Sequence, residues 1–159
     1  MRQAFPLLIG MLAACGSGER HQSGARHSAE PVQTATLTGS YEERVNGEQR
    51  ARMCMLARPS GTASFALVSQ MADGRGCGGA GEAARFGNSL RVTMSGDSEC
   101  VIEARITGSK LVFPRNLAHG CDYYCAPGAT LAGAVFDKIG GSAEDAKGAT
   151  DLAGDPLCG

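Results

Sequence analysis

The seven cysteines of this 159-residue chain constrain its fold more than any other feature. Six of them, Cys54, Cys77, Cys100, Cys121, Cys125 and Cys158, are spread through the last two thirds of the sequence, while Cys15 stands far upstream at the end of an apolar run. In an oxidising compartment an even set reads as disulfides; in a reducing one the same set reads as metal ligands or nucleophiles. The meaning of the six therefore turns on the N-terminus.

Met1-Arg2-Gln3 is a short n-region with one cation, and Ala4 to Ala14 is apolar, with Leu7, Leu8, Ile9, Met11 and Leu12. This stretch fits the h-region of a signal peptide and is too short to span a bilayer, which takes about 20 apolar residues. It ends in Leu12-Ala13-Ala14-Cys15, which resembles the lipobox of bacterial lipoproteins at all four positions: a large aliphatic residue and two small ones precede the modified cysteine. The resemblance implies removal of residues 1–14, diacylglycerol on the Cys15 sulfur and a further acyl chain such as palmitate on its amine. Three chains exceed the roughly two that hold a protein stably on a membrane. Gly16 follows, and by resemblance to the sorting pattern of enteric lipoproteins the absence of Asp there implies the outer membrane, facing the periplasm or the cell surface.

Export makes three disulfides the expected state of the other six cysteines. Proximity along the chain suggests Cys54 with Cys77, Cys100 with Cys121, and Cys125 with Cys158. The cross-links suit a thin core, because tryptophan is absent and few aromatics lie outside the signal. Each disulfide typically contributes about 2 to 4 kcal/mol, mainly by restricting the unfolded chain.

Residues 15–34 comprise the lipidated cysteine and a tether rich in Gly, Ser, His, Arg and Glu, which lacks the apolar content to fold. His21 and His27 lie there, and two spaced histidines on such a segment are expected to be solvated rather than metal-bound. Residues 35–159 form a single domain. Residues 35–42, 51–57, 63–69, 89–94, 100–106 and 110–113 read as short strands, with Leu90, Val92 and Met94 on one face and Cys100, Ile102, Ala104 and Ile106 on another. Pro59-Ser60-Gly61, Gly87-Asn88-Ser89, Ser95-Gly96-Asp97 and Thr107-Gly108-Ser109 supply hairpin turns. The expected fold is mainly β: a small antiparallel meander barrel or sandwich with disulfides and a short C-terminal helical segment. Leu131, Val135 and Ile139 recur at helical spacing before Gly140-Gly141, and a second helical turn begins at Ser142, whose hydroxyl is placed to cap it.

Catalytic and ligand motifs are weak. Gly76, Gly78 and Gly81 match G-x-G-x-x-G, but only Glu82 to Phe86 could be helical before Gly87, so no βαβ unit follows and a flexible loop around a disulfide-bonded Cys77 is expected. His119-Gly120-Cys121 with Cys125 offers three metal-type donors where zinc needs four, and oxidation competes for both sulfurs. The C-x₃-C spacing is neither the redox nor the haem pattern. His119 is the sole histidine of the domain and no G-x-S-x-G elbow accompanies it. No catalytic residue, cofactor or metal is therefore assigned.

The segment from Arg44 to Arg115 carries ten Lys or Arg against six Asp or Glu, and from Cys121 onward the count is two against six. An acidic tail docking on a basic body accounts for this asymmetry. A net charge of −1 excludes phosphate-driven nucleic-acid binding. The expected function is that of a membrane-anchored, non-enzymatic binding or inhibitor module that meets an envelope protein or an anionic glycan. Lipobox, size and strand-rich cysteine content are similar to those of small periplasmic lipoproteins that inhibit lysozyme, without a residue-by-residue match. The alternative is a cell-wall or envelope hydrolase with a site near His119, Asp122, Tyr123 and Tyr124. A roomy lipid-binding barrel is disfavoured by the scarcity of aromatic lining.

Overall fold

The computed structural model describes residues 37–96 and 98–159. The expected signal peptide, Cys15, and the tether with His21 and His27 lie outside the described residues. Eight strands follow in order: β1 Gly39–Val45, β2 Glu48–Ala57, β3 Ala63–Gln70, β4 Gly76–Phe86, β5 Ser89–Met94, β6 Val101–Thr107, β7 Lys110–Val112 and β8 Val135–Gly140. Each pairs antiparallel with the next, and β8 pairs with β1 to close a barrel. Of the two architectures open to the sequence, the barrel is the one formed. Closure removes both exposed strand edges of the meander.

Period-two alternation places the core inside the barrel. Ala51, Met53 and Met55 of β2, Phe65 and Leu67 of β3, Leu90, Val92 and Met94 of β5, and Ile102 of β6 are all buried. Methionine fills volume that a core poor in aromatics leaves open. The hairpin turns follow their residues. Asn46-Gly47 joins β1 to β2 with positive φ at both positions, the arrangement that matches strand twist in a two-residue hairpin, and Gly87 supplies it at the first position of the β4–β5 turn.

Two expectations of secondary structure fail. The segment from Val135 to Gly140 is strand β8, not a helix. Its helical spacing is outweighed by β-branched content and by pairing with β7 and β1 on both sides. The α-helix that follows is α1, Ala143–Lys147, which opens with a capping box between Ser142 and Asp145, as its sequence suggested. The Ser142 hydrogen bonds hold the Asp145 carboxyl below its ordinary value.

The glycine-rich segment is likewise no loop; it forms the first half of β4, the longest strand. Its glycines mark close approaches. A Cβ at Gly79 would strike the Met94 side chain and crowd the Tyr124 ring, and one at Gly81 would collide with the Thr93 carbonyl. A Cβ at Gly76 would likewise collide with the Ser69 carbonyl, so Gly76 and Gly81 of the motif answer to strand packing, while Gly78 is exposed and has room for a side chain.

Three disulfides form, Cys54–Cys158, Cys77–Cys125 and Cys100–Cys121. Only Cys100–Cys121 matches pairing by proximity. Cys54 lies on the outer face of β2, between inward-facing Met53 and Met55, whereas Cys77 lies on the inner face of β4, in the row of Ala51 and Ser69. The sheet separates them. Cys54 instead takes Cys158 from the C-terminal segment, which runs over the outside of β2. The acidic segment meets the basic body through the Lys110–Asp137 ion pair at 2.5 Å, through Arg52 Nη1 donating to the Thr150 carbonyl at 3.1 Å and its hydroxyl at 2.5 Å, and through the Cys54–Cys158 disulfide. Of the tail's carboxylates, Asp151 accepts the backbone N–H groups of Ala153 and Asp155, and these bonds hold it below its ordinary value.

Candidate functional site

The two ends of the barrel differ. At one, the chain between β7 and β8 crosses the opening as a plug. Phe113, Leu131 and Ala134 are buried, and the Phe113 ring packs 5.3 Å from that of Phe136 on β8. Within the plug, His119–Tyr124 forms a 3₁₀ helix whose one buried residue is Cys121. Cys100–Cys121 ties this turn to the start of β6, and Cys77–Cys125 ties its exit to the start of β4. Tyr124 Oη donates to the Ser95 carbonyl at 2.7 Å, and the Ala126 N–H donates to Gly76 at 2.8 Å. A six-residue turn held by two disulfides and these bonds has little freedom left to lose on binding.

What the turn presents outward is His119, Asp122 and Tyr123. His119 Nδ1 lies 3.2 Å from Asp122 Oδ2, with side chains 98% and 72% exposed. Tyr123 is 80% exposed, its ring set edge-on against Tyr124 at 5.3 Å. A histidine–carboxylate couple acts as a catalytic base where water is excluded and a nucleophile is within reach. This couple stands in solvent on a convex turn, which counts against the hydrolase reading. Cys121 and Cys125 are bonded to other cysteines, so the three donors suggested by His119, Cys121 and Cys125 are not available together, and no group of metal-ligating side chains forms among the described residues.

The opposite end is an open mouth, and sequence reasoning missed it. A cavity of about 190 Å³ opens there, with Leu37, Ile106 and Leu111 on its apolar wall and Tyr41, Arg85 and Lys138 among its polar lining. Each of the last three lies two positions along its strand from an inward-facing small or apolar position: Gly39, Ala83 and Phe136 respectively. That register is the signal that could have found them. Lys138 Nζ lies 5.6 Å from the Tyr41 ring centroid, within cation–π range, and burial lowers its ammonium from the ordinary value.

Tyr41 Oη donates to the Leu37 carbonyl at 2.6 Å. Burial pushes the Tyr41 phenol up to about 12, against the opposing pull of the Arg85 charge. A raised phenol stays protonated in the fold after the unfolded chain ionises near 10, so its contribution is complete below about pH 10 and declines as pH rises toward 12. Tyr41→Phe is expected to flatten the fall in urea midpoint between about pH 10 and 12 while losing about 1 kcal/mol at neutral pH from the missing hydrogen bond. An unchanged alkaline slope would assign that fall to other groups.

On the outer wall, a second cavity of about 190 Å³ separates β1 and β2 from α1 and the tail, lined by Ser40, Glu42, Arg52, Asp145 and Thr150 among others. Arg52 Nε sits 3.8 Å from Glu42 Oε1 while its Nη1 holds Thr150, so these groups serve the docking of the tail. The chain matches no family description, no curated protein and no solved structure.

Proposed function

We propose that the chain is a lipid-anchored envelope protein, held on the outer membrane through Cys15, and that it acts as a non-enzymatic binding or inhibitor module. The observation that carries this reading is the disulfide-pinned turn His119–Tyr124 with Tyr123 standing out from it. An exposed aromatic braced by a neighbouring ring is the kind of rigid anchor that dominates protein interfaces. Leu37, the first described residue, lines the mouth, so the described chain begins at the end of the barrel opposite the pinned turn. The lipobox residues Leu12-Ala13-Ala14-Cys15 supply the anchor.

One experiment with two arms tests the reading. In cells fed labelled palmitate, the wild-type chain should take up label and Cys15→Ala should lose it entirely; persistence of label would refute the anchor. Capture from the same envelopes should recover a partner with wild type that falls at least tenfold with Tyr123→Ser, a replacement on an exposed turn that leaves the fold intact. Recovery of the same material by both chains, or of none by either at several salt concentrations, would overturn the binding assignment.

A further inference from the structure

The three disulfides are nested: Cys100–Cys121 lies inside Cys77–Cys125, which lies inside Cys54–Cys158. A single backbone break between Cys100 and Cys121 would therefore leave two chains held together by all three covalent bonds. Much of that interval is protected, because β6 and β7 are paired strands and Phe113, just after them, is buried. Beyond Phe113 the wall ends. Arg115 and Asn116 are exposed on a bend, and among the described residues no backbone hydrogen bond involves Arg115, Asn116 or Leu117. The Arg115 side chain makes no hydrogen bond or ion pair with a described residue. Other cations of the described residues lack this combination. Arg58 precedes Pro59, and a bond to proline nitrogen resists peptidases that cut after arginine. Arg75 is clamped by Asp73 and the Pro127 carbonyl, and its own carbonyl accepts the Met71 N–H. Lys147 closes α1, where the Gly148 N–H donates to the Glu144 carbonyl at 2.8 Å. The rest lie within the strands of the barrel.

We propose that the Arg115–Asn116 bond is a cleavage site for a serine endopeptidase with trypsin-like preference for arginine, and that the product is a stable two-chain protein. Exposed loop positions of this kind are where chains are nicked. The free guanidinium suits an acidic specificity pocket, and the unpaired backbone on either side is available to hydrogen-bond as an extended strand in the enzyme's cleft. The enzyme's serine attacks the Arg115 carbonyl carbon, the peptide C–N bond breaks with Asn116 leaving as a free amine, and water then releases Arg115 as a carboxylate. After the cut, residues 116–159 carry most of the plug, β8, α1 and the tail. They stay in place through the pairing of β8 with β7 and β1 as well as through the three sulfur bridges. The lack of backbone bracing at Arg115 marks a substrate rather than an inhibitor loop, since a loop that binds without being cut is held rigid beforehand. This site lies just ahead of the pinned turn and depends neither on the anchor nor on a captured partner.

The test uses the purified, oxidised full chain and needs no envelope, so its failure is separate from failure of the anchor or of partner capture. Trypsin is added at a low ratio and the products are followed by mass spectrometry with and without reductant, cuts within residues 1–36 being set aside. The first cut within residues 37–159 should fall after Arg115. Without reductant the domain should remain one species, heavier by one water; with reductant it should part into two, the second beginning at Asn116. The cut species should still unfold in one cooperative urea transition. Arg115→Gln should slow this cut at least tenfold, whereas Arg115→Lys should retain it, and both replace an exposed side chain without a partner, so the fold is left in place. A first cut after Lys147 or in a hairpin, an undiminished rate in Arg115→Gln, release of residues 116–159 without reductant, or loss of the cooperative transition after the cut would each overturn the proposal.

Discussion

Phe136→Ala is expected to destabilise the domain by about 3–5 kcal/mol, a large share of the 5–15 kcal/mol available to a domain of this size. Phe136 is fully buried, packs against Phe113 of the plug, and belongs to the strand that closes the barrel between β7 and β1. Truncation therefore opens a void where wall and plug meet, in a core with few large side chains to collapse into it. Urea unfolding of the oxidised chain should show the loss as a lower midpoint with little change in slope. Phe86→Ala is the control: Phe86 is largely exposed beside Arg91 at the rim, and its removal should cost under about 1 kcal/mol. Comparable costs for the two phenylalanines would mean that Phe136 does not sit at the closing seam.

Removing the Cys54–Cys158 disulfide by a double change to alanine should cost about 4 kcal/mol, roughly 1 kcal/mol more than removing Cys100–Cys121. The cysteines are 104 residues apart in the first pair and 21 in the second, and closing the longer loop restricts the unfolded chain more. The other two cross-links lie within the longer loop and shorten it, which is why the difference is modest. Native contacts work in the same direction. Without Cys158 the C-terminal segment keeps its Arg52 contacts to Thr150 but loses its covalent hold on β2. Thermal unfolding of the two double variants under non-oxidising handling gives the order; a greater loss from Cys100–Cys121 would show that native packing at the plug outweighs chain entropy.

Much of the wall could be read along the chain. Leu90, Val92 and Met94, and Ile102 with Ala104, announce their faces by alternation alone, and the Gly and Asn residues between strands fix where hairpins turn. The glycine-rich start of β4 was illegible for a physical reason: Gly76, Gly78, Gly79 and Gly81 have no side chains to alternate. The meaning of Gly79 and Gly81 lies in Met94, Tyr124 and the Thr93 carbonyl, and that of Gly76 in the Ser69 carbonyl, which approach from other parts of the chain. Strand β8 was obscured in a different way, because Leu131, Val135 and Ile139 satisfy a helical period while Leu131 belongs to the plug and only the later two to the strand.

The candidate sites divide along the same line. His119, Asp122, Tyr123 and Tyr124 were visible as a cluster in sequence, but only the fold shows that they stand on a convex, doubly cross-linked turn. The mouth was invisible, since Tyr41, Arg85 and Lys138 come from three distant strands and become neighbours only when β8 closes on β1.

By itself the sequence determined that the domain is β-rich and short-turned, because alternation and turn preference are local properties of neighbouring residues. It also supplied an even set of six cysteines for cross-linking. Which sulfurs join was decided by the tertiary structure, through the sheet face on which each residue falls. Barrel closure, the plug at one end and the cationic mouth at the other arise from contacts between residues far apart in the chain, and no local preference encodes which distant partner a residue will meet.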